Sequence, residues 1–254
     1  MVVSLVDQAT LAVTLFIAYR YQNIGGFYRH FELIKAKELL KNSWPIIVAG
    51  FVLMIQARID QVMLKEIVGN VELGYYSSAM RLIEVFGFIP MIITSSLFPA
   101  IVNAKKISIE LYKKRLSYLY RVMMFLFIIV AVPIYLVGDE IIILLFGEAF
   151  SPAGQIFSLM ALRLLFANYG VARGAYLMAD NLIAYSMFTM IIGATVNIAL
   201  NYAWIPSYQS TGAIYASIVS FFVTIFLIDI IYSRTRANCM MMIKSMFLVN
   251  FKKW

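Results

Sequence analysis

Ionisable side chains inside long apolar stretches are the residues of this chain whose types could do chemistry. They are Asp7, Arg58, Asp60, Arg81, Glu84, Arg163, Arg173 and Asp229. A charge surrounded by hydrocarbon is costly, so it either pairs with an opposite charge or lines a polar path. Each of these residues is therefore a candidate member of an ion pair or of a ligand site.

Arg163 is the strongest candidate for binding an anion. It lies well inside the apolar segment 155–178, too deep for its side chain to reach the interface easily. A guanidinium binds phosphate through charge-assisted and often bidentate hydrogen bonds, and Arg58 is a second candidate of the same chemistry. The alternative for Arg163 is a buried arginine that donates to backbone carbonyls, and the sequence leaves both interpretations open.

Amides and a carboxylate on other segments complete the candidate polar surface. Asn197 and Asn201 are four residues apart and share one helix face, which favours bonds to a neighbouring helix over contact with a sugar. Asp7 shares a face with Thr10 and Thr14. This polar stripe predicts either a water-lined cavity, in which Asp7 couples to a proton or cation, or a position near the outer headgroups.

Asp60 is predicted to form a structural ion pair. Because Arg58 and Asp60 are two residues apart, they point about 160° away from each other and need separate partners. We expect Asp60 to pair with Arg81 of the next helix, and Glu84 to brace Arg81. We expect Arg173 and Asp229 to lie near the inner membrane interface.

Enzyme and metal chemistry have little support in these residues. The sequence contains no P-loop, GxSxG or GxGxxG pattern, and glycosyltransferase or polymerase chemistry would need larger loops than this chain has. One cysteine, Cys239, and one histidine, His30, exclude a Cys/His metal site. The sequence therefore predicts a protein that is not an enzyme and that has no metal and no cofactor.

The elements that position these residues are apolar segments of membrane-spanning length. A bilayer core of about 30 Å needs about 20 apolar helical residues, and the residues are 63% hydrophobic and 13% charged. The segments are 2–19, 45–64, 82–102, 122–138, 155–178, 182–204 and 212–232. They predict an all-α polytopic membrane protein with about seven transmembrane helices.

Positive charge predicts which side of the membrane the connections occupy. Segments 20–44, 103–121 and 233–254 hold 5, 6 and 5 of the 21 Lys and Arg residues. Basic connections of this length are typical of the cytoplasmic side. The net charge of +8 therefore indicates membrane orientation, and no nucleic-acid partner is expected.

The chain divides into four predicted regions. They are a spanning helix at 1–20, an amphipathic cytoplasmic linker at 21–44, a six-helix transmembrane bundle at 45–232 and a basic cytoplasmic tail at 233–254. Pro45 is expected in the first turn of a spanning helix, and 141–146 as an interfacial or re-entrant hairpin. The amino terminus is predicted outside without a signal peptide, which suggests that the front part of a longer protein is missing.

Several short runs carry a resemblance to a known family. They are Ser43-Trp44-Pro45, Leu73-Gly74-Tyr75-Tyr76, Leu97-Phe98-Pro99, Leu145-Phe146-Gly147-Glu148, Val196-Asn197-Ile198-Ala199-Leu200-Asn201 and Thr211-Gly212-Ala213. In this order, over about 45–232, the chain resembles the O-antigen repeat-unit flippases of the Wzx type. These belong to the multidrug/oligosaccharidyl-lipid/polysaccharide exporter superfamily.

The resemblance implies a fold, a substrate and a location. Members usually have about twelve helices in two six-helix bundles, so this chain would match the last helix of the first bundle and the complete second bundle. The implied substrate is an undecaprenyl-diphosphate-linked oligosaccharide, flipped by alternating access across the bacterial inner membrane. Arg163 and Arg58 would hold the diphosphate, and polysaccharide polymerase or ligase machinery would be a partner.

Two alternatives follow from the same resemblance. The chain could be an inactive fragment, or one that requires a separate amino-terminal half. It could also be a drug/cation antiporter of the same superfamily, although cationic drugs favour carboxylates over the arginines found here.

Overall fold

The computed structural model describes residues 2–21 and 32–247, without the side chains of residues 2–8 and 42. Two compact units are present, Met1–Trp44 and Pro45–Trp254. The described residues form helices and turns and contain no strand. The α-helices are α1 (Val2–Tyr21), α2 (Leu33–Ile67), α3 (Asn70–Phe86), α4 (Phe88–Ile107), α5 (Ile109–Phe146), α6 (Pro152–Ala161), α7 (Arg163–Ala179), α8 (Ile183–Phe222), α9 (Ile228–Ile231) and α10 (Ser233–Met246).

Capping residues and glycines set the ends of these helices. The Ser108 side chain accepts a hydrogen bond from the Leu111 backbone N–H at 3.1 Å, which caps the start of α5. Gly147 follows α5 with a φ of 85°, a conformation that favours glycine. Pro152 then opens α6, where its missing N–H leaves no helical hydrogen bond unmade.

Five helical stretches are long and apolar enough to cross a membrane within the described residues. They are Ser43–Ile67, Asn70–Ile107, Ile109–Phe146, Pro152–Ala179 and Ile183–Ile231. A shorter apolar helix covers Ala9–Tyr21. The predicted class, an all-α polytopic membrane protein, is confirmed.

The last stretch, Ile183–Ile231, folds back on itself as a helical hairpin. Its 49 residues would extend about 74 Å as one straight helix, far more than a bilayer core. Gln209 interrupts the helical conformation with a φ of 51°, and Asn197 donates to Ser217 across the hairpin at 3.3 Å. The two arms, 183–208 and 210–231, contain the two last spans predicted from the sequence.

Two local predictions are wrong. The predicted start at Pro45 is wrong because α2 begins at Leu33 and runs through the proline. The predicted hairpin at 141–146 is wrong because these residues continue α5, which bends at Val137 and ends at Phe146. A short 3₁₀ turn, Glu148–Phe150, joins α5 to α6.

Two apolar cores lie within the unit Pro45–Trp254. The first includes Leu64, Ile83, Phe157 and Ile214, and belongs to the end of the bundle where α2 ends and α3 begins. The second includes Leu119, Met123, Phe226 and Met242, and belongs to the end where α5 begins and α10 lies. Each core surrounds a set of buried polar side chains.

Candidate functional site: two buried charged centres

The first set of buried polar side chains, the Asp60 centre, joins four helices. It consists of Asp60 of α2, Tyr76 of α3, Arg163 of α7, and Asn197, Asn201 and Ser217 of α8. All six residues are buried. Asp60 lies seven residues before the end of α2, which places the centre roughly 10 Å along the helix from that end.

The Asp60 carboxylate is satisfied mainly by neutral donors. The hydroxyls of Tyr76 and Ser217 donate to its Oδ2 at 2.8 and 2.6 Å. The Asn201 amide donates to its Oδ1 at 2.7 Å. Three hydrogen bonds therefore compensate the negative charge before any cation is considered.

Arg163 is close to Asp60 without forming a bidentate pair. Its Nη1 lies 3.7 Å from Asp60 Oδ2 and donates to the Tyr76 hydroxyl at 3.0 Å. The guanidinium carbon lies 5.7 Å from the centre of the Phe221 ring, a cation–π distance. Nη1 also contacts the Met80 sulfur at 3.6 Å. Among the described residues, Nε and Nη2 of Arg163 have no hydrogen-bond acceptor.

The amides of α8 also leave hydrogen-bonding capacity unused. Asn201 donates to Asn197 Oδ1 at 3.3 Å as well as to Asp60. Its own Oδ1 is buried and has no partner within the described part of the chain. A buried carbonyl oxygen without a donor is unusual in a folded protein. Among the described residues, the Asp60 centre therefore contains an acceptor without a donor, Asn201 Oδ1, and donors without an acceptor, Nε and Nη2 of Arg163.

The second set, the Asp229 centre, shares α7 and α8 with the first and also includes residues of α9 and α10. It consists of Arg173, Tyr185, Thr189, Asp229 and Thr235. Arg173 Nε and Nη2 donate to the two oxygens of Asp229 at 2.8 and 2.7 Å. The Tyr185 hydroxyl donates to Asp229 Oδ1 at 2.7 Å. Thr189 accepts from Arg173 at 3.3 Å.

Arg173 and Asp229 are both buried and bonded to each other. The expectation that both lie near the inner membrane interface stays a prediction. The sequence offered no signal for the pairing, because 56 residues separate them. In a second polar contact, Lys105 donates to Asp180 at 3.0 Å and Tyr112 bonds the same carboxylate.

The predicted Asp60–Arg81 pair is wrong. Asp60 contacts Arg163, whereas Glu84 contacts Arg58 with an N–O distance of 3.3 Å. The reason is that Tyr76 and Arg81 lie on different faces of α3. They are five residues apart, so their side chains point about 140° away from each other. The face that carries Tyr76 meets Asp60, and Arg81 is exposed.

The structure thus brings together four of the residues selected from the sequence. Asp60, Arg163, Asn197 and Asn201 share one centre, whereas Arg58 does not join them. The sequence analysis missed Tyr76 and Ser217 as members. The side chain of Asp7 lies outside the described residues, so the hypothesis about its coupling role stays a prediction.

The fold and these centres define a class of protein, a multi-pass helical membrane protein with charged centres buried between its helices. A profile of the family described as polysaccharide biosynthesis protein matches residues 1–155, more than half of the chain. The chain belongs to this family, and its role lies in polysaccharide synthesis or export. Neither the curated proteins nor the solved structures include a match to the chain. The matched range holds Asp60 and Tyr76 and ends before Arg163.

Proposed function

We propose that this chain moves lipid-diphosphate-linked oligosaccharide repeat units across the bacterial cytoplasmic membrane. The substrate would be an undecaprenyl-diphosphate-linked oligosaccharide that supplies a surface polysaccharide such as O-antigen. Family membership and the multi-pass helical fold support this proposal. Transport would proceed by alternating access, with the lipid tail remaining in the bilayer.

One observation carries the proposal, namely the free edge of Arg163. The guanidinium has five N–H donors, and the described contacts use Nη1 alone. The adjacent Nε and Nη2 form the edge that binds a phosphate through two parallel hydrogen bonds. A cation held inside the bundle by Tyr76 and Asp60 can therefore still accept an anionic ligand.

Asn201 supports the part of the proposal that concerns the oligosaccharide. Its Oδ1 is a buried acceptor without a donor among the described residues, and sugar hydroxyls are donors. A diphosphate-linked sugar combines an anion with neighbouring hydroxyl groups. That chemistry complements a free guanidinium edge and a free carbonyl oxygen in one centre.

Transport can be tested with the purified chain in proteoliposomes. The substrate probe is a short oligosaccharide linked to a polyprenyl diphosphate, present in both leaflets, and added glycosidase digests the outer pool. We expect the wild-type chain to expose the inner pool to digestion faster than protein-free liposomes do. A rate equal to that of protein-free liposomes would overturn the proposal for this chain.

The role of Arg163 needs a pair of variants, because its removal also leaves Asp60 without a nearby cation. We expect Arg163→Gln to lower the flipping rate at least tenfold, since a charge-assisted hydrogen bond contributes about 1.5–3 kcal/mol. The double variant Asp60→Asn/Arg163→Gln removes both charges and is expected to fold, yet to remain as slow as the single variant. Recovery of transport in the double variant would assign Arg163 a structural role.

A further inference from the structure

A large groove lies at the end of the bundle where α4 meets α5 and α10. It has a volume of about 1020 Å³, at the upper end of the range typical of small-molecule sites. Three elements form its walls, the last turns of α4, the first turns of α5 and one side of α10. It is separate from the Asp60 centre, whose residues do not line it.

Positive charge dominates the lining of this groove. The ionisable side chains along it are Lys113, Lys114, Arg115, Arg121 and Lys244, with Glu110 as the one acid among them. The basic residues come from two separate helices, α5 and α10, so they converge on the groove from different sides. In a solvated basic loop, by contrast, the charged side chains would not line a groove between helices.

The charges are also spread along the axis of α5. Lys113 and Arg121 are eight residues apart on α5, roughly 12 Å along the helix. Leu97 of α4 and Met240 and Met241 of α10 supply apolar surface in the same groove. A row of basic side chains beside an apolar surface complements a ligand that has an anionic headgroup and apolar chains.

The docking of α10 holds the groove in shape. The Tyr120 hydroxyl donates to Asn238 Oδ1 at 2.7 Å, and the Tyr169 and Ser245 hydroxyls lie 2.7 Å apart. Cys239 is buried on the inner face of α10. One face of α10 is therefore fixed to the bundle, while Lys244 and Met240 remain exposed at the groove.

We propose that this groove binds an anionic phospholipid, whose phosphate contacts Lys113, Lys114 and Lys244 and whose chains lie along the apolar wall. The end of the bundle that carries these residues is the one that the distribution of positive charge predicts to be cytoplasmic. A cytoplasmic leaflet that contains anionic lipids provides the ligand at this surface. The site is independent of the transport activity proposed above.

The test measures lipids that remain bound to the purified chain. The protein is reconstituted in nanodiscs that contain phosphatidylglycerol and phosphatidylcholine, released into detergent, and analysed by native mass spectrometry. We expect phosphatidylglycerol to be retained in preference to phosphatidylcholine. Each basic residue contributes about fivefold to such binding, so Lys114→Gln/Lys244→Gln should lower retention about 25-fold.

Lys106→Gln is the matched control, since Lys106 is an exposed basic residue of the same end that does not line the groove. Its retention of phosphatidylglycerol should equal that of the wild type. Burial raises the pKa of the Cys239 thiol to about 11, so slow maleimide labelling at pH 7 verifies in each variant that α10 remains docked.

Three outcomes would overturn the proposal. One is equal retention of the two lipids, and another is an equal loss in Lys106→Gln and in the double variant. The third is displacement of bound phosphatidylglycerol by millimolar inorganic diphosphate, because the groove would then recognise phosphate without a lipid. Preferential retention that survives diphosphate and depends on Lys114 and Lys244 would establish the lipid site.

Discussion

The Asp60 centre and the Asp229 centre each bury one aspartate and one arginine, but they satisfy these charges in different ways. Arg173 forms two short hydrogen bonds to Asp229, at 2.8 and 2.7 Å. Arg163 approaches Asp60 only to 3.7 Å, and three neutral donors from α3 and the two arms of the hairpin surround the carboxylate. We call the bidentate pair of Arg173 and Asp229 closed, because both carboxylate oxygens accept from the arginine. We call the pair of Arg163 and Asp60 open, because Nε and Nη2 of Arg163 have no acceptor among the described residues.

This difference assigns the two centres to different tasks. In a buried bidentate pair, the arginine donates two hydrogen bonds to a fixed carboxylate, and the pair holds helices together. At the Asp60 centre the carboxylate is compensated by Tyr76, Ser217 and Asn201, so part of the arginine stays available. We infer that the Asp229 centre fixes the bundle and that the Asp60 centre is the one able to accept a ligand.

Both centres depend on the same helical hairpin. The first arm of Ile183–Ile231 carries Tyr185 at one end and Asn201 near the other, and the second arm carries Ser217 and Asp229. A change in how the arms pack would therefore alter both centres together. Comparing the effects of variants at the two centres separates local roles from this shared packing.

The largest effect is expected from breaking the closed pair. Arg173→Gln should lower the free energy of unfolding by about 3–5 kcal/mol, because it leaves Asp229 buried without its cation. Arg163→Gln should lower it by only about 1–3 kcal/mol, since three neutral donors still contact Asp60. Unfolding by SDS in mixed micelles measures both, with the exposed Arg234→Gln as the control. Equal losses at Arg173 and Arg163 would contradict the distinction between closed and open centres.

The next effect tests the hairpin that both centres share. A Cβ atom at Gly193 would lie 2.0 Å from Thr224 Oγ1, so Gly193→Ala must displace the buried Thr224 side chain or the arm that carries it. Overpacking of this kind costs about 1–3 kcal/mol, and we expect lower stability together with weaker transport. Gly174→Ala is the control, because nothing lies within 4 Å of a Cβ there and alanine favours a helix. Stability at or above that of the wild type in Gly193→Ala would mean that the arms are not in close contact.

The sequence was sufficient for the class of fold and for some members of the Asp60 centre. Hydrophobic length predicted the spanning helices, and the depth of Arg163 and the spacing of Asn197 and Asn201 marked them as polar residues in an apolar bundle. Periodicity also predicted correctly that Arg58 and Asp60 point to different partners. These features are properties of single helices, which a sequence encodes directly.

The choice of partners could not be predicted in this way. Whether Asp60 meets Tyr76 or Arg81 depends on a rotation of α3 by about 140°, which the packing of α6 and α8 against α3 decides. Arg163 is 87 residues from Tyr76 in the sequence, and Asp229 is 56 residues from Arg173. Their pairing emerges from tertiary packing, and charge complementarity alone favoured the incorrect Asp60–Arg81 pair.

A smaller effect compares the tyrosines of the two centres. Tyr76→Phe removes the hydroxyl that joins Arg163 to Asp60, so both charged groups lose a partner. Tyr185→Phe removes a third contact from Asp229, which keeps both bonds to Arg173. Interhelical hydrogen bonds in membranes contribute about 0.6 kcal/mol on average and at most about 1.7. We expect Tyr76→Phe near the upper value and Tyr185→Phe near the average, measured by the same SDS unfolding.

The smallest effect is expected at the exposed pair of Arg58 and Glu84. Their side chains are 60% and 40% exposed, so water competes for both charges and the pair contributes at most about 1 kcal/mol. Arg58→Gln should leave stability nearly unchanged, although the sequence ranked Arg58 with Arg163 as a phosphate-binding candidate. Flipping of a diphosphate-linked oligosaccharide in proteoliposomes distinguishes the two arginines. A tenfold loss in Arg58→Gln would place the anion near α2 and α3 instead of at the Arg163 edge, because a residue this exposed affects transport only through direct contact with the substrate.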